Sequence, residues 1–448
     1  MIKKVKWKEH PILGNLELDF SKNDGTIYNT IILAGENGTG KTTIIENLST
    51  FLNLGALDSI EYIDYIINGV EYSIFPQDDN NGIKYGFHQR QNKNDGKIVK
   101  IFNGTNSSKQ KIEEDLEDIR HYGCAYSKAR SGFETKKVIS TTTQQLDVEK
   151  YEDDDANDFT FIKQLIIDVE TQDNSEWMEV TRKRTGKSFE EFKKESKLYR
   201  FEKAFNDFFD NVTFERVDNT DSVEKKIIFE KHGKKINIDS LSTGEKQIVF
   251  RGAHLLKNVN NISNGIVLID EPELSMHPKW QSKILQFYRN LFTKDGNQKT
   301  QILVATHSEY VLKSALEDRD NVLVITLHDD NGVIKVNNIT APIILPTITS
   351  AEINYLAFGI ISPDLHIELY GYLQSKTNQN YLDGCDAYIY GHHKFDSVKH
   401  EKISKFRKHT YKTLPTFIRN SIDHPSTTMP YTNDELKTSI ELLIELCK

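Results

Sequence analysis

The sequence has little cysteine and no long apolar run. Its three cysteines, Cys124, Cys385 and Cys447, lie far apart in 448 residues and form no CxxC pair. This spacing indicates neither a disulfide framework nor a zinc site. No uncharged apolar run reaches the roughly 18 residues of a membrane-spanning helix, and the N-terminal residues contain no apolar segment of the signal-peptide kind. We therefore expect a cytoplasmic protein with no membrane partner.

Positive charge is also in deficit. Lysine and arginine total 57 against 66 for aspartate and glutamate, so the formal net charge is −9. An acidic total argues against a protein that wraps nucleic acid over its whole surface, although it is compatible with a local basic patch. The chain is longer than one hydrophobic core usually organises, which predicts two or three domains.

Apolar strand-like runs alternate with helical patterns in two parts of the chain, near residue 40 and between residues 265 and 308. The run at 30–34 leads into a glycine and then into a helical pattern at 42–54. Two further runs, at 265–270 and 301–308, are separated by a helical pattern at 279–292. This alternation predicts an α/β fold whose mainly parallel sheet is covered on both sides.

Composition divides the chain into four segments. Residues 58–111 alternate Ile, Tyr and Phe with Asn, Asp and Gly clusters, which predicts a hairpin-rich accessory sheet. After residue 145 an acidic stretch leads into apolar residues at helical spacing, which predicts a helical insertion. The predicted domains are a first lobe with accessory strands at 1–144, the insertion at 145–211, a second lobe at 212–342 and a C-terminal helical domain at 343–448.

Residues Gly35 to Thr42, GENGTGKT, match the P-loop pattern GxxxxGK[ST] between an apolar strand and a helix. In such a loop, backbone N–H groups and the positive end of the helix dipole face phosphate oxygens. Lys41 would neutralise the terminal phosphates, and the hydroxyl of Thr42 can bind Mg²⁺. We therefore predict a site for ATP and Mg²⁺. The predicted nucleotide-binding residues are Gly35, Asn37, Gly38, Gly40, Lys41, Thr42 and Thr43.

A later apolar strand ends in two adjacent carboxylates, Asp270 and Glu271. In P-loop enzymes the aspartate at this place, the Walker-B aspartate, holds Mg²⁺, so Asp270 is the predicted metal ligand beside Thr42. Because side chains alternate along a strand, Glu271 cannot perform the same task. We predict that Glu271 polarises the attacking water as the general base.

Two further segments indicate the class of ATPase. Residues 241–247, LSTGEKQ, resemble the ABC signature LSGGQ, and residues 305–308, ATHS, resemble the segment that carries the switch histidine. Together with the P-loop and IDEPELSMHPKWQ, they resemble the ABC-type ATPases of the RecF, SMC and OLD-like branch in order and chemistry. The resemblance implies an ABC ATPase head. The chain differs from transporter ATPases because it lacks membrane spans and has a long insertion between the lobes.

This resemblance implies that the protein works as a homodimer or a larger homo-oligomer. In the family, the signature loop of one subunit contacts the γ-phosphate held by the P-loop of the other. Ser242 and the N–H of Gly244 would therefore bind ATP in trans, at the N-terminus of a helix.

The same resemblance assigns three further features. His307 would sense the γ-phosphate and would act in catalysis with Glu271 and Lys41. Residues 275–278 would form the loop that crosses to the partner subunit. The Q-loop residue of the family would be Gln144 or Gln145.

The C-terminal domain contains Arg419, Asn420 and His424 in an RNxxxH arrangement. This resembles the active-site motif of HEPN ribonucleases, and it implies metal-independent cleavage in which the histidine moves a proton and the arginine steadies the phosphate charge. The spacing of five places Arg419 and His424 only loosely on one helical face. A structural or docking role for these residues is the alternative.

A local basic patch precedes that motif and could hold nucleic-acid phosphates despite the acidic total. We expect this stretch to be helical. Its members are Lys394, Lys399, Lys402, Lys405, Arg407, Lys408 and Lys412, with His392, His393, His400 and His409 among them.

Three functions are compatible with these patterns. The first is an ATPase of an anti-phage system of the PtuA or AriA type, which controls a nuclease effector made as a separate protein. The second is a self-contained ATPase and HEPN ribonuclease that cuts transfer RNA, as in anticodon nucleases of the PrrC and RloC type. The third is a DNA-repair ATPase of the RecF kind, which would favour a longer coiled coil than the insertion offers.

Overall fold

A computed structural model describes residues 1–57, 59–79, 82–153, 158–220, 223–294, 296–339, 344–406, 409–425 and 430–448. The chain divides into two compact units, Met1–Val336 and Asn337–Lys448, and each is described by itself. The predicted boundary at 342/343 lies outside the described residues. The four predicted segments stay a prediction, because three of them fall within the first unit.

The first unit contains most of the strands. They are β1 Ile2–Trp7, β2 Glu17–Asp19, β3 Thr30–Gly35, β4 Ile60–Ile67, β5 Val70–Asp79, β6 Gly82–Asn92, β7 Ile98–Phe102, β8 Cys124–Ser127, β9 Tyr151–Asp153, β10 Val212–Asp218, β11 Lys226–Lys231, β12 Lys234–Asn237, β13 Ile266–Asp270, β14 Thr293–Lys294, β15 Asn297–Gln298, β16 Gln301–Thr306, β17 Val322–Asp330 and β18 Val333–Ile339, which ends just beyond the unit boundary. The second unit adds β19 Glu401–Phe406 and β20 His409–Thr413.

The helices are shared between the two units. Those of the first unit are α1 Lys41–Leu52, α2 Asn106–Glu114, α3 Thr160–Arg182, α4 Phe189–Glu195, α5 Tyr199–Phe208, α6 Thr243–Lys246, α7 Gly252–Lys257, α8 Pro278–Leu291 and α9 Glu309–Glu317. Those of the second unit are α10 Ser350–Phe358, α11 Pro363–Thr377, α12 Leu382–Gly391, α13 Ser397–His400, α14 Leu414–Asp423 and α15 Asn433–Cys447.

A seven-stranded sheet forms the centre of the first unit, in the order β18-β17-β3-β16-β13-β8-β9. Neighbouring strands from β17 to β9 run parallel. Every residue of β3, β13 and β16 is buried, as expected for continuous apolar strands covered on both faces. The predicted α/β fold with a mainly parallel sheet is confirmed. Because carboxyl ends of parallel strands share an edge, the ends of β3, β16 and β13 come together.

The accessory sheet is antiparallel, with the order β2-β1-β4-β5-β6-β7. Tyr65 of β4 pairs with Tyr72 of β5, and their rings stack 5.6 Å apart. The apolar face of this sheet shares a core with α1, whose Ile44, Leu48 and Phe51 are fully buried. The hairpin-rich segment predicted at 58–111 therefore supports the helix that follows the P-loop.

Helices α3, α4 and α5 occupy the region where the helical insertion was predicted. Phe201, Phe205 and Phe208 lie one helical turn apart and are buried, which is the apolar stripe expected of a core-facing helix. Phe205 contacts Phe229 of the small sheet β10-β11-β12, with ring centroids 6.3 Å apart. Of the acidic stretch before α3, residues 154–157 lie outside the described part of the chain.

The helix that begins after Ser242 contains a turn of another kind. Residues Gln247–Arg251 form a π-helical turn between α6 and α7, and all five are buried. Such a turn adds one residue to the helical ladder and rotates the side chains that follow it. We call the whole segment, Thr243 to Lys257, the signature helix.

The second unit is mainly helical, as predicted, but the basic stretch is not one helix. Lys399 and His400 lie in the short helix α13, whereas Lys402, Lys405, His409 and Lys412 lie in the antiparallel hairpin of β19 and β20. The burial pattern has the period of two that a strand requires, because Tyr411 and Thr413 are buried while Thr410 and Lys412 are exposed. The alternation of buried and exposed residues was not recognised in the sequence, because the lysines around it were interpreted as part of a helix.

Membrane-spanning candidates were sought among the described residues. No helix there is both long and apolar enough to cross a bilayer.

Candidate active site

The P-loop joins β3 to α1 at the carboxyl edge of the parallel sheet. Gly40 precedes the helix in a left-handed conformation, with φ of +86°, that glycine adopts without strain. The ammonium of Lys41 is folded back into the loop and donates to the carbonyl oxygens of Gly35, at 2.9 Å, and Glu36, at 2.7 Å. The loop thus surrounds a buried cation at the start of a helix, which is an arrangement suited to phosphate.

Burial lowers the pKa of Lys41. Desolvation lowers the pKa of its ammonium to about 8, although the nearby carboxylates of Glu271 and Asp270 act in the opposite direction. An anionic ligand at the loop would favour the protonated form further.

Asp270 ends β13 opposite the first turn of α1. The hydroxyl of Thr42 donates to both of its carboxylate oxygens, at 3.0 and 3.2 Å. Desolvation raises the pKa of Asp270 to about 6. The hydrogen bond from Thr42 lowers this pKa, and the negative charge of Glu271 raises it. A hydroxyl and a carboxylate within hydrogen-bond distance are oxygen ligands of the kind that Mg²⁺ prefers, so these residues fit the predicted metal.

Glu271 and His307 meet across the end of the sheet. Nε2 of His307 lies 3.1 Å from Oε1 of Glu271. Glu271 has a positive φ of +43°, an unusual conformation for a residue with a side chain, and its N–H donates to the carbonyl of Ala305 at 2.9 Å. Burial, with the charge of Lys41, lowers the pKa of His307 in spite of Glu271. A neutral imidazole that donates to the carboxylate fits this geometry.

The predicted residues of the P-loop, the base and the switch histidine line one cavity of 230 Å³. The predicted residue Gly35 is not among the described lining residues, and its carbonyl accepts from Lys41. The lining residues are Ile12, Asn37, Gly38, Gly40, Lys41, Thr42, Thr43, Glu271 and His307.

Gln144 and Gln145 are not among the described residues that line this cavity. The carbonyl of Gln144 instead accepts a hydrogen bond of 2.7 Å from Gln172 of α3. The Q-loop assignment stays a prediction.

Sequence reasoning missed Glu273. Its carboxylate is buried, and Oε1 accepts from the hydroxyl of Thr306 and from the N–H of His307, both at 2.7 Å. Desolvation raises its pKa. The available signal was the third carboxylate in IDEPE, because a charged residue this close to a buried strand needs partners.

Sequence reasoning also missed Arg251, which is fully buried in the π-helical turn of the signature helix. Its guanidinium donates to the hydroxyl and the carbonyl of Ser127, at 2.8 and 2.9 Å, and to the carbonyls of Asp270, at 2.7 Å, and Glu271, at 3.1 Å. Four donors of one rigid fork therefore hold the ends of β8 and β13 together. No local pattern distinguished this arginine from a surface one.

Ser242 begins the signature helix as its N-cap. Its side chain and that of Glu245 form a capping box, in which the Ser242 hydroxyl accepts from the N–H of Glu245 at 3.4 Å and Oε2 of Glu245 accepts from the N–H of Ser242 at 2.8 Å. Lys231 holds the other oxygen of Glu245 at 2.6 Å. Ser242 and Gly244 do not line the cavity of their own P-loop among the described residues, and their proposed contact with a partner's nucleotide stays a prediction.

The loop after Walker B packs on the capped first turn of the signature helix, residues 242–245, which we call the signature turn. A Cβ atom at Gly244 would lie 2.8 Å from the carbonyl oxygen of Ser275 and 3.4 Å from the ring of Trp280, so only glycine fits there. Ser275 itself has a positive φ of +59°. We call residues 275–278 the crossing loop, after the role that the resemblance gives them.

The RNxxxH residues lie on α14 in the second unit. The guanidinium of Arg419 lies 2.6 Å from the carboxylate of Asp423, one turn further along the helix. Asn420 is fully buried, and its side-chain nitrogen has no hydrogen-bond partner. His424 follows the last helical residue and is exposed. The guanidinium of Arg419 also donates to Oδ1 of the neighbouring Asn420 at 3.3 Å.

Part of the predicted basic patch is already paired. Lys394 contacts Glu445, Lys402 contacts Glu435, and the ammonium of Lys412 lies 4.7 Å from the ring centre of Tyr390. His409 lies 2.9 Å from the carboxylate of Asp383. Arg407 and Lys408, which the prediction included, lie outside the described residues.

Residues 31–313 match a family model described as "AAA domain, putative AbiEii toxin, Type IV TA system". "Retron Vc95 probable ATPase" of Vibrio cholerae serotype O1 biovar El Tor is 28% identical over 131 residues, which are 27% of this chain and 24% of that protein. "Septu protein PtuA" of Bacillus thuringiensis is 22% identical over 343 residues, 70% of this chain and 74% of that protein. The chain thus spans about a quarter of the first relative and about three quarters of the second.

Among solved structures, the Smc head bound to the C-winged helix domain of ScpA is 17% identical and covers 76% of this chain and 98% of that one, with a TM-score of 0.40.

Proposed function

Because this chain belongs to the AAA-domain family that its residues 31–313 match, we propose that it is an ATPase that binds ATP with Mg²⁺ beside the P-loop and hydrolyses it. The observation that carries the proposal is the cavity that brings Lys41, Thr42, Glu271 and His307 together at the end of the parallel sheet. Lys41 would supply a cation, Thr42 a hydroxyl ligand for Mg²⁺ and Glu271 a base, which are parts that phosphoryl transfer to water requires. His307 adds an imidazole within hydrogen-bond distance of that base.

The binding roles follow from the contacts. Lys41 would exchange its carbonyl partners in the loop for phosphate oxygens, and the backbone N–H groups from Asn37 to Thr43 would complete the phosphate site. Thr42 and Asp270, which already contact each other, would hold Mg²⁺. That ion would neutralise charge on the phosphates.

The chemical step requires a base that is not bound to the metal. Glu271 would accept a proton from the attacking water, while the new bond forms to the γ-phosphorus and ADP leaves. His307, within 3.1 Å of Glu271, would orient that carboxylate and would contact the γ-phosphate. The carboxylate of Glu271 lies beside His307, whereas that of Asp270 contacts Thr42, so the two adjacent residues would serve different tasks.

The proposed ATPase works as a dimer. Ser242 and the N–H of Gly244 would meet the γ-phosphate held by the partner subunit, as the signature resemblance implies. In support, both residues lie at the start of a helix, where N–H groups favour an anion, and Ser242 there is exposed. Two complete sites would then form only in the ATP-bound dimer.

The proposed biological role is anti-phage defence. The resemblance to phage-defence ATPases of the PtuA type is confirmed by the match to PtuA over most of both chains. We propose that ATP-dependent rearrangement of the dimer controls a nuclease effector made as a separate protein, and that the second unit serves as a docking module. The pairing of Arg419 with Asp423 and the burial of Asn420 favour this role over an intrinsic ribonuclease.

Glu271→Gln tests the proposed ATPase. The variant keeps the size of the side chain but removes the basic carboxylate, so we expect nucleotide binding within about 2-fold of wild type and a fall in kcat of about 100-fold or more. Size-exclusion chromatography with ATP should show the dimer trapped by this variant.

The matched control is Glu317→Gln, an exposed glutamate at the end of α9 that should leave kcat unchanged. Turnover by Glu271→Gln equal to that of the control would remove Glu271 as the base. Absence of ATP hydrolysis by the wild type would overturn the proposed activity as a whole.

A further inference from the structure

Glu273 links two loops that carry different parts of the site. It follows β13 in the turn that leads to the crossing loop, and Met276 N–H donates to its carbonyl oxygen at 3.0 Å. Its side chain points instead to the end of β16, where Oε1 accepts from Thr306 and from the N–H of His307. The backbone of Glu273 therefore belongs to one loop and its carboxylate to the other.

The carboxylate of Glu273 is held without direct access to solvent. The residue is 9% exposed, and Oε2 is buried with no hydrogen-bond partner. An unpartnered buried oxygen is costly, so the two hydrogen bonds at Oε1 must compensate for it. These two hydrogen bonds hold the carboxylate against Thr306 and against the backbone of His307.

A second side chain joins the same loops. Gln281 of α8 donates to the carbonyl of Met276 at 2.9 Å and accepts from the hydroxyl of Ser308 at 2.6 Å. Ser308 is the N-cap of α9 and follows His307 directly. The crossing loop and the switch-histidine segment are thus tied at two points, on either side of the histidine.

The crossing loop also touches the signature turn. The carbonyl of Ser275 approaches Gly244 so closely that a Cβ atom would lie 2.8 Å away. A shift of the signature turn therefore has to move Ser275. Packed groups of this kind transmit small displacements, because protein interiors have few voids to absorb them.

We propose that Glu273 is a positioning residue through which the signature turn of one protomer sets His307, and hence Glu271, in that protomer's own ATP site. This inference rests on the proposed function, since it takes the partner's ATP to be what the signature turn contacts. Binding at the partner's site then moves the signature turn, the crossing loop, Glu273 and the His307 backbone in succession. The two ATP sites of the dimer hydrolyse cooperatively as a result.

Glu273→Ala and Glu273→Gln form the matched pair that tests this role. Alanine removes the acceptor for Thr306 and His307, whereas glutamine keeps an oxygen at that place. For Glu273→Ala we expect kcat to fall about 10-fold or more, because hydrogen bonds to a charged acceptor are lost. The dissociation constant of a fluorescent ATP analogue should stay within about 2-fold, since no P-loop contact changes.

Cooperativity is the readout that a merely structural role would leave unchanged. The Hill coefficient of ATP hydrolysis should exceed 1 in the wild type, fall to about 1 in Glu273→Ala and recover in Glu273→Gln with most of kcat. Glu317→Ala, an exposed change on the helix after His307, should match the wild type throughout.

Equal kcat and Hill coefficients in Glu273→Ala and wild type would overturn the inference while leaving the ATPase intact. A wild type that hydrolyses ATP with a Hill coefficient of 1 would overturn it in the same way. If the alanine variant does not fold, Thr306→Val removes one donor to Glu273 without a change of volume and should lower both values partially. A Thr306→Val variant with unchanged values would count against the proposal.

Discussion

At the residue scale, the site depends on a few charged groups whose pKa values burial moves toward neutral pH. Lys41 and Asp270 have opposite charges and are both largely withdrawn from water, so desolvation favours the neutral form of each. The pKa of Lys41 is lowered to about 8 and that of Asp270 is raised to about 6. A ligand that carries both phosphate and Mg²⁺ restores the charged forms together.

We predict that the affinity for MgATP is greatest between about pH 6 and about pH 8. Below the raised pKa of about 6, protonated Asp270 loses its affinity for Mg²⁺, and above the lowered pKa of about 8, neutral Lys41 loses its attraction for phosphate. Titration of a fluorescent ATP analogue with Mg²⁺, from about pH 5 to about pH 9 at constant ionic strength, measures both limbs.

Asp270→Asn is the control for that profile. It cannot ionise, so the part of the acid limb that belongs to the protein should disappear, and only the titration of the nucleotide's own phosphate should remain. Lys41→Ala should abolish binding at every pH. Acid limbs of equal steepness in wild type and Asp270→Asn would show that Asp270 does not control the affinity.

Residues inside contiguous motifs could be predicted from sequence, and residues that act across the fold could not. Lys41, Thr42 and Glu271 stand in local patterns whose chemistry is set by neighbours along the chain, and the structure brings them to one cavity. Glu273 and Arg251 have partners about 20 to 124 positions away in sequence. Their roles depend on strand order, which the sequence does not display locally.

At the element scale, the signature helix joins two functions. Its first turn carries Ser242 and Gly244, and its π-helical turn brings Arg251 to the carbonyls of Asp270 and Glu271. Arg251 is the last residue of that turn and lies between the ends of β8 and β13. One element therefore supports both the partner's proposed site and its own.

Gly244→Ala tests the fit between the signature helix and the crossing loop. The added Cβ would lie 2.8 Å from the carbonyl of Ser275, so that backbone has to move. We expect ATP-dependent dimerisation to weaken about 10-fold, the usual consequence of overpacking, while nucleotide binding by the monomer stays within about 2-fold. Analytical ultracentrifugation with and without ATP separates the two effects.

Gly371→Ala in α11 is the matched control, because nothing lies within 4 Å of the position that its Cβ would occupy. It should leave dimerisation unchanged. If Gly244→Ala dimerises with ATP as well as Gly371→Ala does, the signature turn does not need its close approach to Ser275.

Elements with strong periodicity were predicted and those set by tertiary context were not. The buried strands β3, β13 and β16 gave continuous apolar runs, and their parallel pairing followed from the helices between them. The hairpin of β19 and β20 was predicted as helix, because lysines at close spacing are compatible with either structure. Its strand character depends on the burial of alternate residues against the second unit's own core.

At the scale of the whole molecule, the chain contains one unit with the cavity proposed for nucleotide and a second unit that has its own core. The second core is formed by residues of α11, α14 and α15, among them Leu369, Ile418 and Leu443, which are fully buried. Such a unit can present a surface to another protein without taking part in ATP chemistry. The family match ends at residue 313 and leaves this unit's role to be argued from its own residues.

The last prediction is that the second unit docks an effector and does not itself cut RNA. An RNxxxH ribonuclease needs arginine and histidine free to face one phosphate, yet Arg419 lies 2.6 Å from Asp423, and the adjacent Asn420 is buried. Purified protein should leave total transfer RNA intact with or without ATP. In a host that carries the gene neighbourhood, His424→Ala should protect against phage as well as wild type does, whereas Lys41→Ala should not protect. A nuclease should copurify with the wild type. Cleavage of transfer RNA by the wild type, abolished by His424→Ala with ATP hydrolysis unchanged, would instead establish the self-contained ribonuclease.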